Sequence, residues 1–277
     1  MKKILVPCDF SDQAVQAFRF ACEIARESKG EVRLLNIVEL PVLHDSVLMP
    51  TLYFEEAYLK DSRENAEKSF EKMISKWAKD DQKVKGHVEF GAVTPTIARF
   101  IKEHKIDLVI MGTAGASGLK EFLVGSNTEK IVRSSAVPVI AVKKSAKSAS
   151  IRHIVFPSVL TIEEDDICTK VRALQNFFGA TLHIVFINTP SGFRRDAEVK
   201  QELTDFAKRN QFKNYTINAY NDYDEESGIR NFAHEVGADL IAMATHGRRG
   251  ISHLMNGSLA EDIVNHVDCP IWTCVDK

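Results

Sequence analysis

Asp107-Leu108-Val109-Ile110-Met111-Gly112-Thr113-Ala114-Gly115, nine further residues, then Gly125-Ser126: this stretch decides the fold of the 277-residue chain, because the chain contains it twice. The second copy, 132 residues on, reads Asp239-Leu240-Ile241-Ala242-Met243-Ala244-Thr245-His246-Gly247, nine residues, then Gly257-Ser258. Each copy opens with an apolar run of strand character. Each ends at a proline before a second such run, Pro138-Val139-Ile140-Ala141-Val142 and Pro270-Ile271-Trp272-Thr273-Cys274-Val275. Glycine at a strand end admits a ligand where a Cβ would block it. Gly-Ser at a helix start offers an anion free N–H groups, a hydroxyl and the positive end of the helix dipole. The motif is weak alone and strong when duplicated.

Outward from the motif, each half begins with another matched run, Lys3-Ile4-Leu5-Val6-Pro7 and His153-Ile154-Val155-Phe156-Pro157, offset by 150 residues. After the first, Ser11 stands as an N-cap before a helical face of Ala14, Phe18, Ala21, Cys22 and Ala25. Second strands follow Gly30 (32–38) and Gly179 (181–187), and Ala66, Phe70, Met73, Ile74 and Trp77 mark a long amphipathic helix. Thr94-Pro95 predicts a further helix start, with the threonine hydroxyl as cap and proline in the first turn. Strand and helix thus alternate, which predicts a parallel sheet covered on both faces. The offset falls from 150 to 132, so the second half has lost about 18 residues between its second strand and its last helix. In the first half that region holds His44-Asp45-Ser46-Val47-Leu48-Met49-Pro50, read as a loop or lid. The expected units are residues 1–147 and 148–277, joined at the polar run Lys143–Ser150.

Charge narrows the partners. The formal net charge is −2, with 23 basic against 20 acidic residues in 1–150 and 13 against 18 in the remainder. Neither half has the basic excess of a nucleic-acid binder. No apolar run reaches membrane-spanning length, and strand character begins almost at the N-terminus, so a cytoplasmic protein without a signal peptide is expected. Five scattered cysteines (Cys8, Cys22, Cys168, Cys269, Cys274) fit reduced thiols and small buried hydrophobes. Cys269 and Cys274 are read as facing opposite sides of one strand, and so as unable to share a metal.

With Pro7-Cys8-Asp9-Phe10-Ser11, the Gly112–Gly115–Gly125–Ser126 spacing and the closing Pro-Val-x-x-Val strand on the page, the chain resembles the universal stress protein family, here as a tandem of two domains. The resemblance covers nearly the whole chain. It implies α/β architecture: two doubly wound five-stranded parallel sheets of strand order 3-2-1-4-5, related by a pseudo-two-fold. That order puts the topological switch between strands 1 and 4, where Asp9 and Gly112 arrive together. In the ATP-binding branch of the family, the resemblance implies that Pro7, Cys8, Asp9 and Ile37 hold adenosine. It implies further that Gly112 and Gly115 admit ribose and α-phosphate, and that Gly125, Ser126, Asn127 and Thr128 give donors to the outer phosphates. ATP, accompanied by Mg²⁺ or Mn²⁺ held mainly by phosphate oxygens and water, is the implied ligand. No protein side chain is assigned to the metal and none is assigned as catalytic.

Each of these residues also has a plain structural reading. Asp9 can cap a helix, Gly112 and Gly115 can be turn glycines, and Ser126 and Thr128 can be simple caps. Lys120 lies in the nine-residue loop, where a solvated lysine is the ordinary case. His246, Arg248 and Arg249 cluster without a carboxylate at useful spacing. The second half departs from the pattern: Val159 stands where Asp9 would be and Ala244 where Gly112 would be, while Gly247, Gly257 and Ser258 remain. That half is read as degenerate, with at most a residual anion site. The expected function is an ATP-binding stress-response regulator with an unidentified protein partner, monomeric because its two domains pair within one chain. A slow ATPase and a nucleotide-independent scaffold are the alternatives. GxxxxGK[ST] is absent, as is GxGxxG after a strand, which disfavours P-loop NTPases and dinucleotide oxidoreductases.

Overall fold

A computed structural model describes residues 1–39, 51–113, 125–143, 147–161, 164–246 and 257–276. The first half runs β1 (Lys3–Pro7), α1 (Asp12–Ser28), β2 (Glu31–Val38), α2 (Thr51–Trp77), β3 (Lys83–Phe90), α3 (Val93–His104), β4 (Leu108–Gly112), α4 (Ser126–Ser134) and β5 (Val139–Val142). The second half repeats it as β6 (His153–Pro157), α5 (Asp165–Phe178), β7 (Thr181–Asn188), α6 (Asp196–Arg209), β8 (Tyr215–Asn221), α7 (Glu225–Glu235), β9 (Leu240–His246), α8 (Gly257–His266) and β10 (Ile271–Asp276). The missing length falls largely on one helix: α2 has 27 residues and its counterpart α6 has 14.

All ten strands form one sheet, ordered β3-β2-β1-β4-β5-β10-β9-β6-β7-β8. Each half therefore has the 3-2-1-4-5 order, and every pairing is parallel except the seam between halves. There β10 runs antiparallel to β5, with Ile271 opposite Ala141, Trp272 opposite Ile140 and Thr273 opposite Val139. Two strands that would otherwise be open edges thus cover each other.

The central strands carry unbroken apolar runs such as Ile4-Leu5-Val6 and Leu108-Val109-Ile110-Met111 because both faces are covered. Ile4 and Val6 pack in the layer that also contains Phe18 and Phe20 of α1, while the intervening Leu5 packs with Ile97 and Phe100 of α3; all three strand residues are 0% exposed. Trp272, opposite Ile140, belongs to the first layer and joins the cores of the two halves.

The start of α1 follows local chemistry and that of α3 does not. The Ser11 hydroxyl accepts from the Ala14 N–H at 3.2 Å, capping α1 as expected. Helix α3 instead starts at Val93, two residues before the proline, with Ala92 as an N-cap that makes no side-chain bond. Thr94 is inside the first turn and is not the cap. Pro95 is still tolerated, because the first-turn N–H groups have no intrahelical partner to lose. Cys269 is a second correction. It precedes β10 and so shares no strand with Cys274, although burial pushes its thiol up to about 12. The expected loop at His44–Pro50 lies outside the described residues.

Candidate functional site

At the C-terminal ends of β1, β2 and β4, between α1, α3 and the start of α4, lies a cleft of about 270 Å³. It is the crevice at the point where strand order reverses. Pro7, Cys8, Asp9, Ile37, Gly112, Gly125, Ser126, Asn127 and Thr128 all line it. Gly115 and Lys120 lie outside the described residues.

The wall nearest β2 and α3 is apolar, made by Leu35, Ile37, Val93 and Ile97. Asn36 interrupts that run, and its Nδ2 donates to the Cys8 carbonyl at 2.8 Å, pinning the ends of β2 and β1 together. Sequence reasoning passed over this residue; its signal was a lone amide within Leu34-Leu35-Asn36-Ile37-Val38. Cys8 is 4% exposed, and burial, the largest cause, pushes its thiol up to about 12. It contributes shape and backbone rather than a reactive thiolate. Asp9 is exposed, and its Oδ1 accepts from the Ser11 N–H at 3.1 Å, stiffening the turn in which Phe10 has a φ of 65°. Among the described lining residues Asp9 is the one charged side chain.

The opposite end of the cleft is made of donors. Helix α4 has Gly125 as its N-cap, so the N–H groups of Ser126, Asn127 and Thr128 have no acceptor within the helix. The Gly125 N–H is already given to the Thr113 carbonyl at 2.6 Å, and the Thr128 hydroxyl to the Gly112 carbonyl at 2.9 Å. These two bonds tie the start of α4 to the end of β4. The donors left for an anion are the three N–H groups, the Ser126 hydroxyl and the Asn127 amide.

Gly112 is constrained from inside the protein. A Cβ on it would come within 2.7 Å of Gln13 Cβ and 2.8 Å of the Gln13 carbonyl carbon, so α1 crosses the strand end at a distance only glycine permits.

In the second half the loop after β6 is tied by its own side chains. The Glu164 carboxylate, in a residue 4% exposed, takes the Ser158 hydroxyl at 2.6 Å, the Leu160 N–H at 3.0 Å and the Val159 N–H at 3.4 Å. Burial raises its pKa, against the lowering effect of these bonds. On the other side a Cβ on Gly228 of α7 would run into Ile187, the counterpart of Ile37. That helix therefore sits directly on the end of β7. Gly257 opens α8 in the manner of the first half, whereas Gly247, Arg248 and Arg249 lie outside the described residues. Among the described residues no group of three or more His, Cys, Asp or Glu side chains could hold a metal ion, and no helix is long and apolar enough to cross a membrane.

The profile of the universal stress protein family matches residues 1–143 and 194–274. The unmatched stretch between them carries β6, α5 and β7, including Glu164. A universal stress protein of Methanocaldococcus jannaschii is 32% identical over 148 residues, covering 53% of this chain and 84% of the relative. Universal stress protein YxiE of Bacillus subtilis is 30% identical over 146 residues, covering 51% of this chain and 98% of YxiE. Over the full length, a universal stress protein from Archaeoglobus fulgidus superposes with a TM-score of 0.73 at 17% identity, covering 99% of this chain and 98% of that one, a likeness of fold.

Proposed function

Because the chain belongs to the universal stress protein family, we propose that it is a stress-response regulator acting in the cytoplasm, which binds one adenine nucleotide, ATP, in the cleft of its first half. We take residues 1–147 and 148–277 as its two units. One observation carries the reading: an apolar slot sized for a base ends on the uncapped N–H groups of Ser126, Asn127 and Thr128. A flat, weakly polar ring suits the wall of Leu35, Ile37, Val93 and Ile97, and a phosphate chain suits a helix N-terminus. Asp9 is suited to accept from a ribose hydroxyl. A divalent ion bound with the nucleotide would neutralise phosphate charge, and this chain would leave it mainly to phosphate oxygens and water. Titration calorimetry with ATP and Mg²⁺ is the direct test, with one site per chain expected and no heat of binding as the refuting result.

ATP is then a ligand held far longer than it is cleaved. Hydrolysis needs a positioned water and charge stabilisation confined to the transition state. The described lining offers no cationic side chain and one exposed carboxylate, Asp9. Phosphate release with Mg²⁺ present is expected well below the roughly 1 s⁻¹ floor of ordinary enzymes. Fast, saturable release would replace the regulatory reading with an enzymatic one.

The β5–β10 seam already supplies within one chain the pairing that would otherwise call for a second subunit. Light scattering is therefore expected to give the mass of a single chain, 31.1 kDa. A stable species of twice that mass would show that another surface drives assembly.

A further inference from the structure

At the far end of α3 from the cleft, three basic side chains pack against one another. Arg33 on β2 places Nη1 2.9 Å from Nδ1 of His104, the last residue of α3. A guanidinium has donors only, so His104 Nδ1 must be the acceptor, and the bond requires a neutral imidazole with its proton on Nε2. The Phe100 ring lies 4.0 Å from the His104 ring and 5.0 Å, edge-on, from that of His87 on β3. His87 Nε2 is buried and has no hydrogen-bond partner among the described residues.

We propose that Arg33, His87 and His104 form an acid-sensitive latch on α3, through which falling pH loosens the cleft wall that Val93 and Ile97 contribute. The inference rests on the reading of that cleft as a nucleotide site. The Arg33–His104 bond ties the end of α3 to β2, and the His104 ring lies 5.4 Å from that of His87. Protonating His87 creates a half-buried cation whose Nε2–H has no acceptor among the described residues.

Of the surrounding charges, Glu89 favours a proton on His87, while Arg33, His104 and Lys85 oppose it. On β2, Arg33 is paired with Glu31 at 2.8 Å; on α3, Arg99 takes Glu89 of β3 at 2.8 Å, so both carboxylates are engaged. Lys85 of β3 adds positive charge, and Lys3 of β1 already donates to the His104 carbonyl at 3.3 Å, answering the negative end of the helix dipole. Asp107 accepts from the N–H groups of Lys2 and Lys3. Desolvation, then Arg33 and His104, lower the His87 pKa from its ordinary value. A histidine whose folded pKa is depressed lends stability that is complete above its unfolded value, about 6.5, and is lost as pH falls through the folded value. The window lies on the acid side of neutrality. Val93 and Ile97 share α3 with Phe100 and His104. A rigid helix of 12 residues, about 18 Å long, carries a change at one end to the other.

The test compares the intact protein with His87→Phe, which keeps a ring beside Phe100 but does not titrate. Hydrogen exchange over residues 93–104, expressed as protection factors to remove the intrinsic pH dependence, is read at pH 7.5 and 5.5. Protection in the intact protein is expected to fall between these two pH values, because the His87 pKa is depressed in the fold, and to stay level in the variant. Equal pH dependence in the two proteins, or none in either, overturns the latch. In parallel, affinity for ATP with Mg²⁺ should weaken at pH 5.5 more in the intact protein than in the variant. An equal loss in both shows that α3 does not gate the cleft. ATP that fails to bind at either pH sinks the nucleotide reading and its gate, while exchange over 93–104 still decides whether the acid-labile contact exists.

Discussion

Gly125→Val should abolish nucleotide binding, with a loss of at least a hundredfold, while Gly257→Val should leave affinity unchanged. Gly125 has φ −59° and ψ 137°, an extended conformation that valine adopts without strain, so the substitution leaves the turn intact. Its branched side chain would stand at the mouth of α4, over the N–H groups of Ser126 and Asn127 where phosphate is expected. Losing the charge-assisted bonds to a phosphate group at about 1.5–3 kcal/mol each, with two or three lost together, exceeds the 2.7 kcal/mol that a hundredfold represents. Gly257 occupies the corresponding place in the second half, where Val159 and Ala244 stand in place of Asp9 and Gly112. Calorimetry on the two variants decides the matter. Equal sites in both halves, or loss of binding only in the Gly257 variant, would overturn the assignment of the site to the first half.

Trp272→Ala should cost about 3–5 kcal/mol of stability, the range for a fully buried large aromatic. Trp272 is 1% exposed, lies opposite Ile140 across the seam, and belongs to a packing layer that extends into both halves. Removing it leaves a cavity where the two halves meet, so urea unfolding should lose its single transition and resolve into two. Trp272→Phe should be far milder. It keeps most of the apolar volume and removes an indole N–H that is buried with no partner among the described residues. A loss under 1 kcal/mol for the alanine variant, with one transition retained, would show that the seam does not couple the halves.

The repeat and the alternation of strand and helix were legible because each is written locally, while the place of the cleft followed from the strand order that the family resemblance implied. A strand buried on both faces is rich in apolar residues, as Ile4, Leu5 and Val6 are, and a serine before a helix caps a first-turn N–H, as Ser11 does. Thr94 shows where local reading fails. Its hydroxyl and the following proline suit a helix start, yet the helix that packs best begins at Val93 and uses neither as a cap. A cap bond contributes about 1 kcal/mol, less than burying Ile97, Phe100 and Ile101 against the sheet.

By itself, then, the sequence determined that two copies of one α/β unit exist, that both carry a glycine-rich strand end followed by a helix start, and that Val159 and Ala244 stand where the first copy has Asp9 and Gly112. The tertiary structure decided which of those groups are free to act. It commits the Gly125 N–H to Thr113 and the Thr128 hydroxyl to Gly112, gives Gly112 a reason to be glycine in Gln13, and brings Asn36 to Cys8 and Glu164 into the loop after β6. Arg33 and His104, 71 residues apart, meet for the same reason. Propensity, capping and hydrophobic period act over a few residues and can be read along the chain. Hydrogen bonds and close contacts between distant segments depend on distances of a few ångströms that only the packed sheet and helices set.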